Sequence, residues 1–380
     1  MHLVINGFFW NRPNTGSGQY TRQLVTHLSK LVSDLRITLV YPQSSGREEP
    51  ENPPEGVGVK LVRVSPGHLG KVHFEQILFP RACKAVAADI AHVPYWGAPL
   101  QSPAPVVVTI HDLTTLLYRE YRRGVKARMY NALVSASGRS SSHIITDSEA
   151  SKGDIVEHLG IGEEQITSIY LAAGTEFRPE PDLLVDMAIA KKYDLPEEYI
   201  LYLGGYGIHK NVAALLNAFT YVRKALGTDY PLVLAGAKPE KPSNRYPDYE
   251  KLIAELGLED VVQWAGFIDE EDKPTLYRGA ASFVFPSMYE GFGLPPLEAM
   301  ACGIPVVASN RSSLPEVIGD AGFTLDPEDH RGMGGSIIAT VVQEELAEDM
   351  RRKGLEQAAK FSWEKTVAET VAVYHKVVSS

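Results

Sequence analysis

The chain has 380 residues, 44% of them apolar and 22% charged, with a formal net charge of −10 and two cysteines. That length suits two domains rather than one, and the composition excludes a disordered, collagen-like or disulfide-scaffold chain. An acidic balance with no recognition module makes nucleic acid a poor partner, and no apolar run approaches the roughly 20 residues of a membrane span. Met1 to Ile5 reads as the start of a strand rather than a charged leader, and a cytoplasmic protein is expected. Cys83 and Cys302 lie in apolar helical contexts without metal-ligand spacing, so buried thiols and no metal site are expected. Charge is uneven: residues 1–180 carry 18 Lys and Arg against 17 Asp and Glu, whereas residues 181–380 carry 19 against 30. That asymmetry fits a chain in which only one half meets an anionic surface.

In chain order, His2–Asn6 and Ile37–Tyr41 read as strands. Between them runs an amphipathic helix over Tyr20–Val32, with Leu24, Leu28 and Leu31 on one face. The loop before that helix carries Gly16 and Gly18, which by themselves fit a plain tight turn as well as a close backbone approach to a phosphate. Ile90–Val93, Val106–Ile110 and His143–Thr146 are further strands, and Ile169–Leu171 would close a parallel sheet covered by helices. His111 ends one of these strands and should point into a cleft, while Asp112 suits a cap or turn. Tyr95 and Trp96 follow another strand and fit either an acceptor pocket or simple packing. Arg119, Arg122, Arg123, Lys126 and Arg128 form a basic cluster interleaved with Tyr118, Tyr121 and Tyr130. It fits peripheral contact with an anionic membrane, a phosphorylated acceptor lipid, or a solvated helix face.

A helical linker near residues 182–196 leads to a second set of strands: Tyr199–Gly204, Leu232–Gly236, Val261–Ala265, Ser282–Pro286, Val306–Ser309 and Phe323–Leu325. These make a second doubly wound domain, and two such domains would leave a ligand cleft between their carboxyl edges. The last helix opens at Ser362, a good N-cap, and runs through Val367, Val371 and Tyr374. The expected division is residues 1–180 and 181–361, with 362–380 packing back on the first domain.

The most informative segment is Glu290-Gly-Phe-Gly-Leu-Pro-Pro-Leu-Glu298. It follows a buried strand and starts a short helix that Gly303 and Pro305 end. Neither Pro295 nor Pro296 has an N–H, so the donors left at the helix entrance belong to Phe292, Gly293 and Leu294. Gly291 and Gly293 permit unusual φ values and close approach. An anion is favoured there by both amides and dipole, and two flanking carboxylates add acceptors for hydroxyls. A ligand bearing phosphate and hydroxyls, such as a nucleotide sugar, has both.

The run from about 264 to 327 strongly resembles the retaining, nucleotide-sugar-dependent glycosyltransferases marked by two glutamates separated by seven residues. Weaker echoes cover nearly the whole chain: Thr15 to Arg22, Ile110 to Leu113, Asp147 to Lys152, and Leu203-Gly204 to Lys210-Asn211. The resemblance implies an α/β chain of the GT-B fold, two facing Rossmann-like domains with an interdomain cleft, the donor held mainly by the second and the acceptor mainly by the first. It implies Glu290 on the donor hexose, Phe292 and Gly293 amides on sugar hydroxyls, Leu294 and Lys210 on the β-phosphate, and Glu298 on the ribose. Gly16 and Gly18 would approach the pyrophosphate, and His111 the anomeric centre. Phe267, in the stretch Trp264 to Ile268, would lie near the base. Gly205 stands where relatives often carry a second cation, and His209 is a candidate substitute. The activity implied is hexose transfer from a UDP- or GDP-sugar to a glycan or lipid-linked acceptor, with no metal or other cofactor. Alternatives are a non-catalytic sugar-nucleotide binding subunit and a GT-B epimerase or phosphorylase.

Overall fold

The computed structural model describes residues 1–43, 49–122 and 124–379. The chain divides into two compact units, Met1–Leu171 with Trp363–Ser380, and Ala172–Ser362. The division thus falls at 171/172 rather than at 180/181.

In the first unit, seven strands form one parallel sheet: β1 His2–Asn6, β2 Arg36–Gln43, β3 Gly58–Arg63, β4 Ile90–Val93, β5 Val106–Thr109, β6 His143–Thr146 and β7 Ile166–Ser168. Their order is β3-β2-β1-β4-β5-β6-β7. The central strands β1, β4, β5 and β6 are buried along their whole length, because helices cover both faces of a parallel sheet. The edge strand β3 was not anticipated. Its sequence Gly-Val-Lys-Leu-Val-Arg mixes charge into a half-exposed strand, and only pairing with β2 identifies it. Strand β7 also lies earlier than the expected Ile169–Leu171. Ile169 and Leu171 are buried residues just beyond it, and Ile169 N–H still donates to the Thr146 carbonyl of β6 at 2.8 Å.

The first helix spans Gly16–Leu31 and begins four residues before the expected Tyr20. Thr15 is its N-cap, with Oγ1 accepting from Gly18 N–H at 3.2 Å. Gly16 and Gly18 therefore stand in the first helical turn and not in the preceding loop. At the other end of the chain, the helix Trp363–Val378 belongs to this unit. Its Tyr374 hydroxyl lies 2.6 Å from His92 Nδ1, and Thr366 Oγ1 donates to the Tyr170 carbonyl at 2.7 Å.

The second unit holds a six-stranded parallel sheet: β8 Tyr199–Leu203, β9 Leu232–Ala235, β10 Val262–Gly266, β11 Ala280–Phe285, β12 Val306–Ser309 and β13 Phe323–Leu325. Their order is β10-β9-β8-β11-β12-β13. These match the expected strands to within two residues at each end. Strand order reverses once in each sheet, between β1 and β4 and between β8 and β11. Open parallel sheets bind ligands outside the carboxyl ends of strands at such a reversal. Among the described residues, no helix is long and apolar enough to cross a membrane, and no group of three or more His, Cys, Asp or Glu could hold a metal ion.

Candidate functional site

At the reversal in the second unit, β8 leads into a short 3-10 turn, Ile208–Lys210, and β11 leads into the glutamate segment. Lys210 Nζ and Glu290 Oε1 meet at 2.6 Å, so residues 80 apart in sequence form one ion pair across the reversal. Both side chains are mostly buried, and Lys210 Nζ also stands 5.4 Å from the Phe285 ring centroid. Ser287 Oγ is 2.6 Å from the same carboxylate oxygen. The His209 carbonyl accepts from Met288 N–H at 2.7 Å, which ties the turn after β8 to the loop after β11.

Serines that sequence reasoning passed over fix the backbone of this segment. Ser312 and Ser313 Oγ lie 2.7 and 3.1 Å from the Glu290 carbonyl, Ser313 Oγ also reaches the Phe292 carbonyl, and Ser309 Oγ reaches the Ser287 carbonyl. Ser312 adopts φ 53° and Asn211, next to Lys210, φ 54°. A non-glycine residue holds that backbone at a cost, which the surrounding hydrogen bonds offset. The only sequence signal was the Ser-Ser pair just before a Leu-Pro-Glu helix start, which reads as an ordinary cap.

The helix after this segment is Leu294–Ala301, with Gly293 as N-cap at φ 122°. A Cβ on Gly293 would stand 2.9 Å from Leu314 Cδ2, which the flexible leucine could relieve, so it is the conformation that favours glycine. Of the entrance positions, Pro295 and Pro296 carry no N–H, which leaves the amides of Gly293 and Leu294 at the positive end of the helix. Gly291 and Phe292 are buried beside them. Glu298 is buried too and accepts from Tyr277 OH at 2.8 Å. Burial raises its pKa above the usual carboxylate range, opposed by Lys273 and by the Tyr277 hydrogen bond. Phe267 is 47% exposed just beyond β10, whereas Trp264 packs on Tyr206 and lies under Lys238. Gly205 is exposed, and its carbonyl accepts from Tyr202 OH.

In the first unit, His111 follows β5 and Asp147 follows the neighbouring β6, and His111 Nδ1 lies 2.6 Å from Asp147 Oδ2. Its Nε2 is 3.3 Å from the Pro94 carbonyl, and the ring meets Tyr20 edge-on. Burial lowers the imidazole pKa, but the Asp147 charge and hydrogen bond, with Asp112 adding, raise it overall. The partners accept at both nitrogens, which suits an imidazolium with no lone pair to offer. Asp112 Oδ1 accepts from Thr114 N–H at 2.7 Å, the turn role expected of it. Gly16 would meet nothing with a Cβ, but at Gly18 that atom would stand 2.0 Å from the Arg12 carbonyl oxygen. Gly18 is thus demanded by the protein's own backbone.

A second polar group in this unit joins Lys71 and Glu75, four positions apart, to Tyr130. Lys71 Nζ donates to Tyr130 OH at 2.8 Å, lies 3.6 Å from Glu75 Oε1 and stands over the rings of Phe8, Phe9, Tyr95 and Tyr130. Glu75, in a π-turn over Phe74–Leu78, is fully buried, and burial raises its pKa to about 7 against the pull of Lys71. Of the basic cluster, Arg119, Arg122 and Arg128 line one groove. Arg123 and the side chain of Lys126 lie outside the described residues.

Residues 188–357 match the family Glycosyl transferases group 1, and residues 14–177 match Glycosyltransferase Family 4. The O-antigen chain mannosyltransferase B of Escherichia coli is 30% identical over 374 residues, covering 95% of this chain and 96% of that protein. The serotype-specific mannosyltransferase WbdA of Escherichia coli is 31% identical over 287 residues, covering 73% of this chain but only 34% of WbdA. The fold is similar to that of sucrose-phosphate synthase from Thermosynechococcus elongatus, with TM-score 0.79, 21% identity and coverage of 100% and 99% of the two chains. Two parallel-sheet Rossmann-like units, the paired glutamates and these matches along the chain make it a GT-B glycosyltransferase of the group 1, family 4 type.

Proposed function

We propose that the chain moves a hexose, with mannose the first candidate, from a nucleotide diphosphate sugar to a hydroxyl of a glycan or lipid-linked acceptor during polysaccharide assembly. The relatives named above, both mannosyltransferases, support the choice of sugar. One observation carries the donor site: the Lys210–Glu290 pair spans the strand reversal of the second unit, where β11 leads on to the Gly293 and Leu294 amides. A leaving diphosphate gathers charge on its β-phosphate, and a lysine with two helix-entrance amides is the kind of preorganised stabiliser that transfer needs. Glu290 takes the sugar hydroxyls, Glu298 the ribose, and Phe267 the neighbourhood of the base. The His209 carbonyl orders the loop after β11, and its imidazole is the candidate second cation. The resemblance assigns His111 to the reacting sugar; to reach it, Nε2 would exchange its 3.3 Å contact with the Pro94 carbonyl for a sugar hydroxyl, while Asp147 holds Nδ1.

Retention through a covalent intermediate requires a carboxylate placed as nucleophile beneath the anomeric carbon. Glu290, tied to Lys210 and Ser287, is occupied as a hydrogen-bonding and charge-pairing group, which favours front-face attack assisted by the departing phosphate. Lys210 and the amides neutralise that phosphate without a metal ion in this scheme. The test is nucleotide release from GDP-mannose, UDP-glucose and UDP-N-acetylglucosamine, with and without oligomannose acceptors, in the presence of a chelator, and with the anomeric configuration of the product read by NMR. A donor that binds but is never cleaved under any of these conditions overturns the enzyme reading. An inverted product overturns front-face transfer, and loss of turnover to the chelator overturns metal independence.

A further inference from the structure

A run of buried polar side chains joins the helix Trp363–Val378 to His111 within the first unit. The Tyr374 hydroxyl lies 2.6 Å from Nδ1 of His92 on β4. His92 Nε2 lies 2.8 Å from Thr109 Oγ1 on β5, and that oxygen lies 3.2 Å from the hydroxyl of Tyr20 on the helix Gly16–Leu31. The Tyr20 ring in turn meets His111 edge-on, with centroids 4.9 Å apart. Tyr374, His92 and Thr109 are fully buried and Tyr20 nearly so, so these groups must find their hydrogen bonds in one another.

Burial also fixes the direction of the chain. Desolvation, and after it the charge of His111, keep His92 neutral, so one of its nitrogens donates and the other accepts. Among the described residues the Tyr374 hydroxyl has no partner but His92, and a buried donor left unpaired is costly. Tyr374 therefore donates to Nδ1, Nε2–H donates to Thr109 Oγ1, and Thr109 donates to the Tyr20 oxygen. The proton left over belongs to Tyr20. Burial and the Asp147 charge keep that phenol protonated. Asp147 holds His111 through Oδ2, while its Oδ1 is buried without a hydrogen-bond partner among the described residues. The chain thus ends beside the His111–Asp147 pair.

Replacing a buried hydrogen-bonded set by apolar groups of the same shape can be nearly neutral for stability, so what a fully satisfied chain adds is one fixed arrangement. Here the fixed element is Tyr20. Asp147 and the Pro94 carbonyl act at the two nitrogens of His111, whereas Tyr20 packs on the ring itself. We infer that Tyr374, His92 and Thr109 are positioning residues for sugar transfer, holding the His111 imidazole in place through Tyr20. The inference rests on the assignment of His111 to the reacting sugar made above.

The test uses the full chain labelled with 15N-histidine, with the His111 ring signals identified by their loss in His111→Gln. Tyr374→Phe and Thr109→Val cut the chain at separate links. Thr366→Val is the control, because it removes a different hydrogen bond of the same helix, the one to the Tyr170 carbonyl. The His111 signals should shift in both chain variants and stay in place in the control. For nucleotide release from GDP-mannose, each chain variant should lower kcat about tenfold and change the donor KM less than about twofold, because a misplaced group acts on the transition state more than on binding. The double variant should fall no further than either single one, since links of one chain are not additive. Thr366→Val should keep kcat even where it lowers the melting temperature as much as Tyr374→Phe does. Unmoved His111 signals in both chain variants overturn the inference whatever the kinetics. An equal fall of kcat in Thr366→Val at equal loss of melting temperature reduces the chain to stability and also overturns it. Normal turnover in His111→Gln overturns the assignment of His111 to the reacting sugar, and with it the role of the chain in transfer. The NMR arm requires no turnover, so it tests the coupling separately from that assignment.

Discussion

Replacing Lys210 by Met deletes one charge while keeping most of the stem that lies against Phe285. Glu290 then keeps only the Ser287 hydroxyl, 2.6 Å from Oε1. The Lys210 and Glu290 side chains are 19% and 13% exposed, so the pair lies between the exposed and buried limits. Exposed pairs contribute about 0–1 kcal/mol, and removing one partner of a fully buried pair costs about 3–5 kcal/mol. A loss of about 2 kcal/mol is therefore expected, or about 4–8 °C in the melting temperature of a unit of this size. The effect on turnover should be larger in relative terms. Removing one stabiliser of transition-state charge typically costs about 100- to 1000-fold in kcat. Single-turnover release of nucleoside diphosphate, measured beside thermal melting, separates the two effects. Glu290→Gln completes a double-mutant cycle, in which groups in direct contact should couple by about 0.5–3 kcal/mol. Strict additivity, or near-parental turnover in Lys210→Met, would refute both the pair and its role.

The two glycines of the first helical turn should respond differently. Gly18→Ala drives a Cβ into the Arg12 carbonyl and should cost about 1–3 kcal/mol by denaturant melting, whereas Gly16→Ala meets nothing and should be neutral or slightly stabilising. If Gly16→Ala melts normally yet abolishes transfer, that glycine serves close approach of a ligand. Burial raises the pKa of Glu75 to about 7 from 4.5 for a free carboxyl. Because the folded form holds its proton longer, stability is highest below about pH 4.5 as far as this group is concerned and falls as pH rises toward 7, by of the order of 3 kcal/mol. Lys71, lowered by burial, contributes the opposite slope at higher pH. Glu75→Gln should flatten the acid-side slope of the melting temperature, and an unchanged slope would count against the assignment. Tyr374→Phe leaves His92 Nδ1 without its partner in a fully buried site, where burial lowers the imidazole pKa to about 3 and keeps it neutral. The expected cost is about 1–3 kcal/mol, with faster hydrogen exchange in the helix Trp363–Val378 as the direct readout.

How much of this was legible in sequence follows from what each feature depends on. Central strands such as Ile90–Val93 and Val306–Ser309 are continuous apolar runs because both faces are covered, and they could be read directly. Strand β3 could not, since Gly58–Arg63 has no such run and owes its state to hydrogen bonds from β2. The glutamate segment was readable because glycine and proline constrain its backbone locally. The partners of its carboxylates were not. Nothing near Glu290 in sequence names Lys210, and nothing near Glu298 names Tyr277.

Two of the non-local pairs nonetheless obey one rule. In a parallel sheet, every carboxyl end lies on the same edge, so side chains that follow neighbouring strands meet whatever their separation in sequence. His111 and Asp147 follow β5 and β6, and Lys210 and Glu290 follow β8 and β11. Once strand order is known, therefore, the candidate pairs reduce to residues just past adjacent strands. Each of these two has a basic member and an acidic one, which keeps a charge in place on a partly buried edge. The Lys71–Glu75 pair lies outside this rule, because both members belong to one helical stretch and meet four positions apart. Its burial comes instead from the Phe8, Phe9 and Tyr95 rings that follow β1 and β4, the two strands at the reversal. The edge of the sheet thus decides which of these charges are desolvated, and that is not encoded within any short stretch of the chain.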